Sequence, residues 1–378
     1  MYLISGYLQN YAWGVTGGLE PWTDTGDGTA PEAELWFGCH ANGPSPLVGQ
    51  PGVAMADLVD PSDAPLLVKV LAAATPLSLQ IHPPAEQAEL VFAAQQRDPG
   101  MPKILADSLA KTEMLIALQP FSVLQGLREP HLAAAILDEV GGPCLEAAAL
   151  VRGGDLKAAI RYLLAIPSEQ IPGLVSAVPA AAARAGLDAA ALEALALILA
   201  QYPSDSGVLI ATLLDHRTLA RGEAVYVPTG VVHAYIEGVG IEVMTNSDNV
   251  LRLGLTPKTV AVDAALEALD LALCPEPIGA ATVGLSGGGS TRDYAPAGAP
   301  FAVRWLSDGS VSVGSGSYRL VLAVDGQAQV RCGEQSATLN QGQAAAVLAD
   351  EPAVEVRTSG SVFIANSVSD DSPGPDKR

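Results

Sequence analysis

Residues 225–258 read VYVPTGVVHAYIEGVGIEVMTNSDNVLRLGLTPK, and this segment decides the fold. Its alternating, β-branched residues predict short strands. The second strand carries His233 and Tyr235 on one face, because they are two residues apart. A glycine corner at Gly238 then leads into a third strand that holds Glu242. A single histidine on an apolar strand is often a core residue, so this segment alone leaves a structural and a functional interpretation open.

The end of the segment adds charge and a helix signal. Arg252 and Lys258 lie close together, and Thr256-Pro257 has the form of an N-cap and a first helical residue. This pattern predicts a helix that continues to Leu273. Such a density of ionisable groups, on strands that cannot all face water, is typical of a site. The groups concerned are His233, Glu242, Asp248, Arg252 and Lys258.

The composition describes a globular chain with a strong negative charge. The 378 residues are 49% apolar and 16% charged, which is enough for two or three domains with a large core. The formal net charge of -21 argues against nucleic acid as a partner, and it would repel an anionic substrate. A phosphate site would therefore need a local concentration of the 20 lysines and arginines.

The cysteine spacing and the lengths of the apolar runs indicate the cellular compartment of the protein. Cys39, Cys144, Cys274 and Cys332 are scattered without a CxxC pair, which favours free thiols over a disulfide or zinc-ribbon scaffold. The first residues lack the pattern of a signal peptide, and no uncharged apolar stretch has transmembrane length. We therefore expect a cytoplasmic protein with no membrane partner.

A second polar cluster lies upstream, in LSLQIHPP at residues 77–84. Strand alternation places Ser78, Gln80 and His82 on one face, and the two prolines end the strand. Lys69 interrupts an apolar run shortly before. It could extend its ammonium from a strand edge into water or serve a site.

A third polar pair, Lys111 and Glu113, opens another predicted strand. Alone it would be read as a solvated strand edge. Together with the earlier clusters it completes a possible ligand set of two imidazoles, one amide and one carboxylate. These ligands suit one Zn²⁺ ion per chain, with manganese or cobalt as substitutes, and an ion so held can act as a Lewis acid. The four ligands are Gln80, His82, Glu113 and His233.

Residues 126–202 change to an alanine- and leucine-rich pattern with helical spacing. Pro167, Pro172 and Pro179 predict breaks into short helices. We expect this part to be a structural insert without chemistry. From residue 301 onward, short strands recur with turn signals, which predicts a second small β domain.

Six motifs resemble type I mannose-6-phosphate isomerase, a cupin-fold zinc enzyme. They occur in the family's order over about residues 1–275: YAWG, ELWFG, LSLQIHPP, KTEM, VPTGVVHAY and SDNVLRLGLTPK. The resemblance implies a mainly β protein of cupin (jelly-roll) β-sandwiches with an inserted α-helical domain. The expected division is a catalytic cupin domain of residues 1–125 together with 203–275, a helical insert of 126–202, a C-terminal cupin-like domain of 276–368 and a disordered tail of 369–378.

The resemblance also implies a reaction, the interconversion of mannose 6-phosphate and fructose 6-phosphate through a cis-enediol. A small sugar phosphate would be the partner, and the chain would be a monomer or a weak oligomer. By resemblance, zinc falls on the four ligands named above and the catalytic arginine is Arg252. Glu242 is the expected base, with Lys111 or a water on the metal as alternatives. Asp248 would be catalytic or would orient the arginine. The predicted substrate-binding residues are Lys258, Ser78, Tyr235 and Lys69.

Three positions depart from the family pattern. Thr112 replaces a proline, Leu253 replaces a small residue, and Cys39 precedes His40 where Thr-His-Pro is common. None removes a ligand, but Leu253 could alter substrate selectivity. Two other functions would use the same ligands: an Fe(II) cupin oxygenase and a non-catalytic sensor of sugar phosphates.

Overall fold

The computed structural model describes residues 1–23, 25–26, 28–258, 260–273 and 275–368. The predictions for Cys274 and for the tail of residues 369–378 fall outside these residues. The strands, numbered along the chain, are β1 (Tyr2–Ser5), β2 (Tyr7–Gln9), β3 (Val15–Thr16), β4 (Pro31–Glu32), β5 (Glu34–Phe37), β6 (Leu66–Ala73), β7 (Gln80–Ile81), β8 (Glu113–Ala117), β9 (Phe121–Leu127), β10 (Leu214–Leu219), β11 (Glu223–Val227), β12 (His233–Thr245), β13 (Leu251–Arg252), β14 (Ile278–Gly279), β15 (Val283–Gly284), β16 (Ser290–Tyr294), β17 (Phe301–Ser307), β18 (Ser310–Val313), β19 (Arg319–Asp325), β20 (Gln327–Cys332), β21 (Gln335–Asn340), β22 (Gln343–Val347), β23 (Val354–Thr358) and β24 (Ser361–Ser367).

Helices are concentrated between β9 and β10. The α-helices are α1 (Ala85–Arg97), α2 (Pro130–Val140), α3 (Cys144–Arg152), α4 (Leu156–Leu164), α5 (Ile171–Ala185), α6 (Ala189–Gln201), α7 (Gly207–Ala211) and α8 (Val262–Ala268), and two 3-10 helices lie at Met55–Asp57 and Pro61–Asp63. The predicted mainly β fold with inserted helices is confirmed. Within the described part of the chain, no helix is long and apolar enough to span a membrane.

The long strand β12 joins two layers of an eleven-stranded sheet. Its C-terminal half pairs with β6 and β8, while its N-terminal half pairs with β7 and β9. The bend between the halves requires Gly238, since its φ is +141° and a Cβ there would lie 2.6 Å from the Phe121 ring. The prediction of two strands separated by a corner is therefore wrong. The glycine bends one continuous strand instead.

The C-terminal half forms a second sandwich. A seven-stranded sheet in the order β1-β22-β19-β24-β17-β16-β15 faces a four-stranded sheet in the order β18-β23-β20-β21. Strand β1, which the predicted division places with the first domain, belongs to the seven-stranded sheet through its pairing with β22. One apolar core unites the halves, with Phe37 of β5 and Phe301 and Phe363 of the C-terminal strands in the same cluster. The four-part division of the chain stays a prediction.

The helical region packs on the β-layer that contains the first half of β12. Ile136 of α2 and Ile198 of α6 share a core with Ala234 and Ile236 of β12. Pro179 does not break a helix as predicted. It lies inside α5, whose buried apolar face compensates the hydrogen bond that proline removes. The helices also extend to Ala211 of α7, beyond the predicted end of the insert.

Candidate metal centre and active site

Three buried side chains converge between the two layers that β12 joins. His82 follows β7, Glu113 begins β8 and His233 begins β12, and one ligand atom from each lies within 4.8 Å of the others. His233 Nε2 is 2.9 Å from Glu113 Oε1, and His82 Nε2 is 3.3 Å from Glu113 Oε2. Two imidazoles and one carboxylate at this spacing form a recognisable metal-ligand set.

Backbone carbonyls hold both imidazoles in one tautomer. His82 Nδ1 is 2.8 Å from the Asn249 carbonyl oxygen, and His233 Nδ1 is 3.2 Å from the Val231 carbonyl oxygen. A carbonyl can only accept, so Nδ1 carries the proton in each ring and Nε2 is left with its lone pair facing Glu113. This arrangement is the usual way in which proteins orient histidine ligands for a metal.

The cluster contains a buried polar atom that the described residues do not satisfy. His82 Nε2 is buried without a hydrogen-bond partner among the described residues, and Glu113 Oε2 is buried with the Lys111 ammonium, whose Nζ lies 2.9 Å away. Burial, reinforced by the nearby Lys111 charge, lowers the pKa of His82 to about 4, so this imidazole is neutral at physiological pH. Burial opposes ionisation of Glu113, yet the adjacent Lys111 ammonium is the largest of the effects that outweigh it and hold the pKa of Glu113 well below the usual value. A neutral imidazole beside an ionised carboxylate fits a divalent cation.

Gln80 is placed beside this cluster by strand register. It pairs with His233 of β12 on one side and with Arg252 of β13 on the other. Residues directly opposite each other in a sheet present their side chains on the same face. The regular strand here is shorter than predicted, because β7 covers only Gln80 and Ile81. The register nevertheless brings the fourth predicted ligand and the predicted catalytic arginine next to the cluster.

A second buried charge cluster lies across β5, β6 and β12. Lys69 Nζ is 2.8 Å from Glu242 Oε2 and 3.3 Å from Glu34 Oε1, and the ammonium also lies 5.3 Å from the Trp36 ring centroid. Burial disfavours the Lys69 charge, but the two carboxylates more than offset this and raise its pKa. Burial and the Glu113 charge raise the pKa of Glu242 despite its lysine partner.

A cavity of about 610 Å³ opens beside both clusters. Six predicted residues line it: Lys69, Ser78, Gln80, Asp248, Arg252 and Lys258. Several other lining residues carry no predicted role: Tyr11, Trp13, Glu34, Trp36 and Tyr202. Four of these five lie in the quoted motifs YAWG and ELWFG, so a signal was present. Tyr202 is the last residue of the alanine-rich region, whose composition gave no signal of a site.

Besides the clustered His82, Glu113 and His233, three more predicted active-site residues lie outside the lining of this cavity. Lys111 is paired with Glu113, and Glu242 with Lys69. Tyr235 donates a 3.3 Å hydrogen bond to Glu113 Oε1, and burial together with the charge of Glu113 raises its pKa well above the usual value. The structure therefore places Tyr235 against a predicted metal ligand, where it supports the carboxylate.

Asp248 holds the rim of the cavity together. Its carboxylate accepts a 2.7 Å hydrogen bond from Asn42 Nδ2 and lies 3.3 Å from His40 Nε2. It forms no ion pair with Arg252 within the described residues, and its role as a catalytic or arginine-orienting residue stays a prediction. Leu253, the departure next to that arginine, points into the core and is fully buried.

The loop from Leu253 to Lys258 is not helical. Helix α8 begins at Val262, and the Thr256 hydroxyl accepts the Lys258 N–H in a turn, so the predicted N-cap is wrong. Leu255 adopts φ +54°, which a bulky side chain rarely does, although it is completely buried. Tight packing of the surrounding chain must stabilise this conformation.

Backbone packing against the region after α6 fixes this loop. A Cβ on Gly254 would lie 2.5 Å from the Cα of Gly207. Both residues must therefore be glycine for these two backbone segments to approach each other so closely. Asp205 accepts hydrogen bonds from the N–H groups of Gly207 (2.7 Å) and Thr256 (2.9 Å). The Tyr202 hydroxyl adds a 2.9 Å hydrogen bond to the Pro76 carbonyl. The end of the predicted helical insert, at Tyr202, therefore lies against the cavity.

Comparisons with known proteins agree along most of the chain. A family model described as "Phosphomannose isomerase type I, catalytic domain" matches residues 1–130. The mannose-6-phosphate isomerase of Escherichia coli (strain K12) is 31% identical over 93% of this chain and 96% of its own length. That of Salmonella typhimurium (strain LT2) is 30% identical with the same coverage, and the Homo sapiens enzyme is 30% identical over 70% of this chain and 72% of its own.

Solved structures give the same result. A Salmonella typhimurium mannose 6-phosphate isomerase bound to its substrate fructose 6-phosphate and to zinc superposes with a TM-score of 0.80 at 30% identity, covering 97% of this chain and 98% of that one. A mannose 6-phosphate isomerase bound with zinc and yttrium gives the same TM-score, identity and coverage.

Proposed function

Since the chain belongs to the mannose-6-phosphate isomerase family, we propose that it interconverts mannose 6-phosphate and fructose 6-phosphate. The reaction transfers a proton between C2 and C1 of the sugar through a cis-enediol. The observation that carries the proposal is the convergence of His82, Glu113 and His233 next to a cavity that contains Arg252 and two lysines.

One zinc ion per chain would be held by His82, Glu113 and His233, with Gln80 as the fourth ligand. When bound, the ion supplies Lewis-acid polarisation of the sugar oxygens. The buried His82 Nε2, which has no hydrogen-bond partner among the described residues, supports this assignment, because a cation satisfies its lone pair. Tyr235 keeps the carboxylate in position through its hydrogen bond to Glu113 Oε1.

Arg252 would stabilise negative charge as it develops on the sugar. Its guanidinium is always charged and lines the cavity in a half-buried position, where a fixed cation acts more strongly than in water. Lys258 and Ser78 line the same cavity and would bind the 6-phosphate. These local cations offset the repulsion that the net charge of -21 exerts on an anionic sugar.

Glu242 is our assignment for the base. Its raised pKa favours it, since a carboxyl group moves protons best when its pKa approaches the working pH. The contact of Glu242 with Lys69, which lines the cavity, supports this assignment. Lys111 remains an alternative for the base. Its ion pair with Glu113, a proposed zinc ligand, favours a role beside that ligand instead.

A coupled assay that follows fructose 6-phosphate formed from mannose 6-phosphate tests this function. The zinc-loaded protein should turn over, and chelation should abolish turnover while zinc restores it. Binding of mannose 6-phosphate without isomerisation would instead indicate a sensor. Oxygen consumption after loading with Fe(II), with no isomerisation, would indicate an oxygenase.

We also propose that the enzyme acts in the cytoplasm as a monomer or a weak oligomer. The residues of the cavity come from a single chain, so the site needs no second copy. The described cysteines, Cys39, Cys144 and Cys332, are free and buried, which suits a reducing compartment. Sedimentation across a concentration range measures the assembly state.

A further inference from the structure

Two arginines flank one tryptophan where the two halves of the chain meet. Arg221 lies in the turn before β11 of the eleven-stranded sheet, while Arg292 and Trp305 lie on β16 and β17 of the seven-stranded sheet. The guanidinium carbons are 5.3 Å and 5.5 Å from the Trp305 ring centroid. Phe363 also packs on this ring, with centroids 4.7 Å apart. The indole therefore holds two like charges close together.

Neither guanidinium has a carboxylate partner within the described residues. Arg292 donates from Nε to Thr282 Oγ1 (2.9 Å) and from Nη1 to the Arg221 carbonyl oxygen (3.4 Å). The Arg221 side chain has no hydrogen bond or ion pair to the described part of the protein. The chain carries 41 acidic residues against 20 basic ones, so two adjacent arginines without a carboxylate are unexpected. Most of their N–H donors are available to an external group.

These arginines line a separate small cavity of about 180 Å³. Its other lining residues are Thr282, Ser290, Trp305 and Ser307, three of which carry hydroxyl groups. Trp305 Nε1 is an additional buried donor without a partner among the described residues. Forked guanidinium donors together with hydroxyls are the groups that recognise a tetrahedral oxyanion. None of the six residues lines the catalytic cavity.

We propose that this cavity is a second phosphate site, which binds the phosphoryl group of a free phosphate ion or of a small phosphorylated metabolite. The site is assembled from three separate segments: the turn before β11, the segment between β14 and β15, and the hairpin of β16 and β17. An anion bound here neutralises the two arginines and ties the catalytic half of the chain to the C-terminal half. Its existence does not depend on which sugar the enzyme isomerises.

Calorimetric titration of the zinc-loaded enzyme with inorganic phosphate at constant ionic strength tests the proposal. Wild type should bind phosphate at two sites per chain, one of them in the catalytic cavity. Arg221→Gln should lose one site, or weaken it at least about tenfold, as expected for removal of a charged hydrogen-bond donor. Its kcat/KM for mannose 6-phosphate should stay within about twofold, because the catalytic cavity is untouched.

Matched variants distinguish binding at this site from a general effect of protein charge on phosphate binding. Arg357→Gln removes another exposed arginine of the C-terminal half and should keep both sites. Arg221→Lys keeps the charge without the fork and should bind with intermediate affinity. Thr282→Val should weaken the same site without touching either arginine. Replacing phosphate by mannose 6-phosphate shows whether the second site takes the whole sugar phosphate or the free ion. Equal stoichiometry and affinity in wild type and Arg221→Gln would overturn the proposal.

Discussion

Asp205 and Thr256 are joined by a 2.9 Å hydrogen bond from the Thr256 N–H to the Asp205 carboxylate. This bond connects the end of the helical region to the loop that carries Lys258 at the rim of the catalytic cavity. Asp205 thus acts on the site through the backbone, as a positioning residue.

We expect Asp205→Ala to raise the KM for mannose 6-phosphate several-fold, with a smaller change in kcat and an unchanged zinc content. The reason is that the loop loses the hydrogen bond between the Thr256 N–H and the Asp205 carboxylate, which contributes about 1.5–3 kcal/mol, while Gly207 loses the other hydrogen bond to this carboxylate. Asp205→Asn keeps one acceptor oxygen, so its KM for mannose 6-phosphate should lie between that of Asp205→Ala and that of wild type. Steady-state kinetics with metal analysis measures this, and a KM equal to wild type in Asp205→Ala would refute the positioning role.

His233→Ala should lose both zinc and turnover. Removal of this imidazole leaves the buried Glu113 carboxylate with one ligand partner fewer, so metal affinity falls steeply. The matched control is His216→Ala, which removes a half-buried histidine of β10 that bonds to Ser122 outside the cluster. It should retain about one zinc per chain. Stoichiometric zinc in His233→Ala, measured by elemental analysis, would rule out the ligand assignment.

Arg252→Ala should keep zinc but lose about two orders of magnitude or more in turnover, the scale of removing one preorganised donor. The side chain lines the cavity without contributing to the His82–Glu113–His233 cluster, so metal content and activity should separate. Arg252→Lys should recover only part of the rate, because an ammonium lacks the planar fork. A loss of less than tenfold in Arg252→Ala would remove it from the catalytic step.

Glu242→Gln should reduce turnover about 10²- to 10⁴-fold, the range for loss of a general base, while zinc remains bound. Exchange of the substrate C2 hydrogen with solvent should fall in parallel, because the same proton transfer is affected. Lys111→Met serves as the comparison. If proton exchange survived in Glu242→Gln and vanished in zinc-containing Lys111→Met, the assignment of the base would pass to the lysine.

Lys258→Ala should lower kcat/KM for mannose 6-phosphate by about 10- to 150-fold, the cost of one charged hydrogen bond. Unphosphorylated mannose should be a poor substrate for wild type and should be little affected by the substitution. Lys103→Ala, which removes another exposed lysine, controls for net charge. An equal proportional loss on both sugars would show that Lys258 serves the chemistry or the fold. The helix N-terminus expected from sequence makes no contribution here.

The parts of the site that sequence could predict are those that depend on local alternation and on recognisable motifs. Ser78, Gln80 and Lys69 were predicted from their own segments, and all three line the cavity. Cross-strand partners could not be predicted. Tyr235 meets Glu113 across 122 positions of sequence, and His82 meets the Asn249 carbonyl across 167. Such pairings depend on register, which a single strand does not encode.

The wrong predictions arose where tertiary packing overrode a local signal. Thr256-Pro257 has helix-start chemistry, yet the close approach of Gly207 and Gly254 and the positive φ of Leu255 keep this loop extended around the cavity. Pro179 is a helix breaker by local rules but is retained within α5, whose opposite side is held by the core. Asp205 gave no signal, because its partners are backbone N–H groups.

The bent strand β12 also determines which length changes the gene can tolerate. Its first half presents His233 to the metal cluster, and its second half presents Glu242 to Lys69. Side chains alternate between faces along a strand, so deleting or inserting one residue between these two positions would turn one of them away from the site. We therefore expect length changes to be tolerated far better in the helical connection between β9 and β10 than between His233 and Glu242 of this strand.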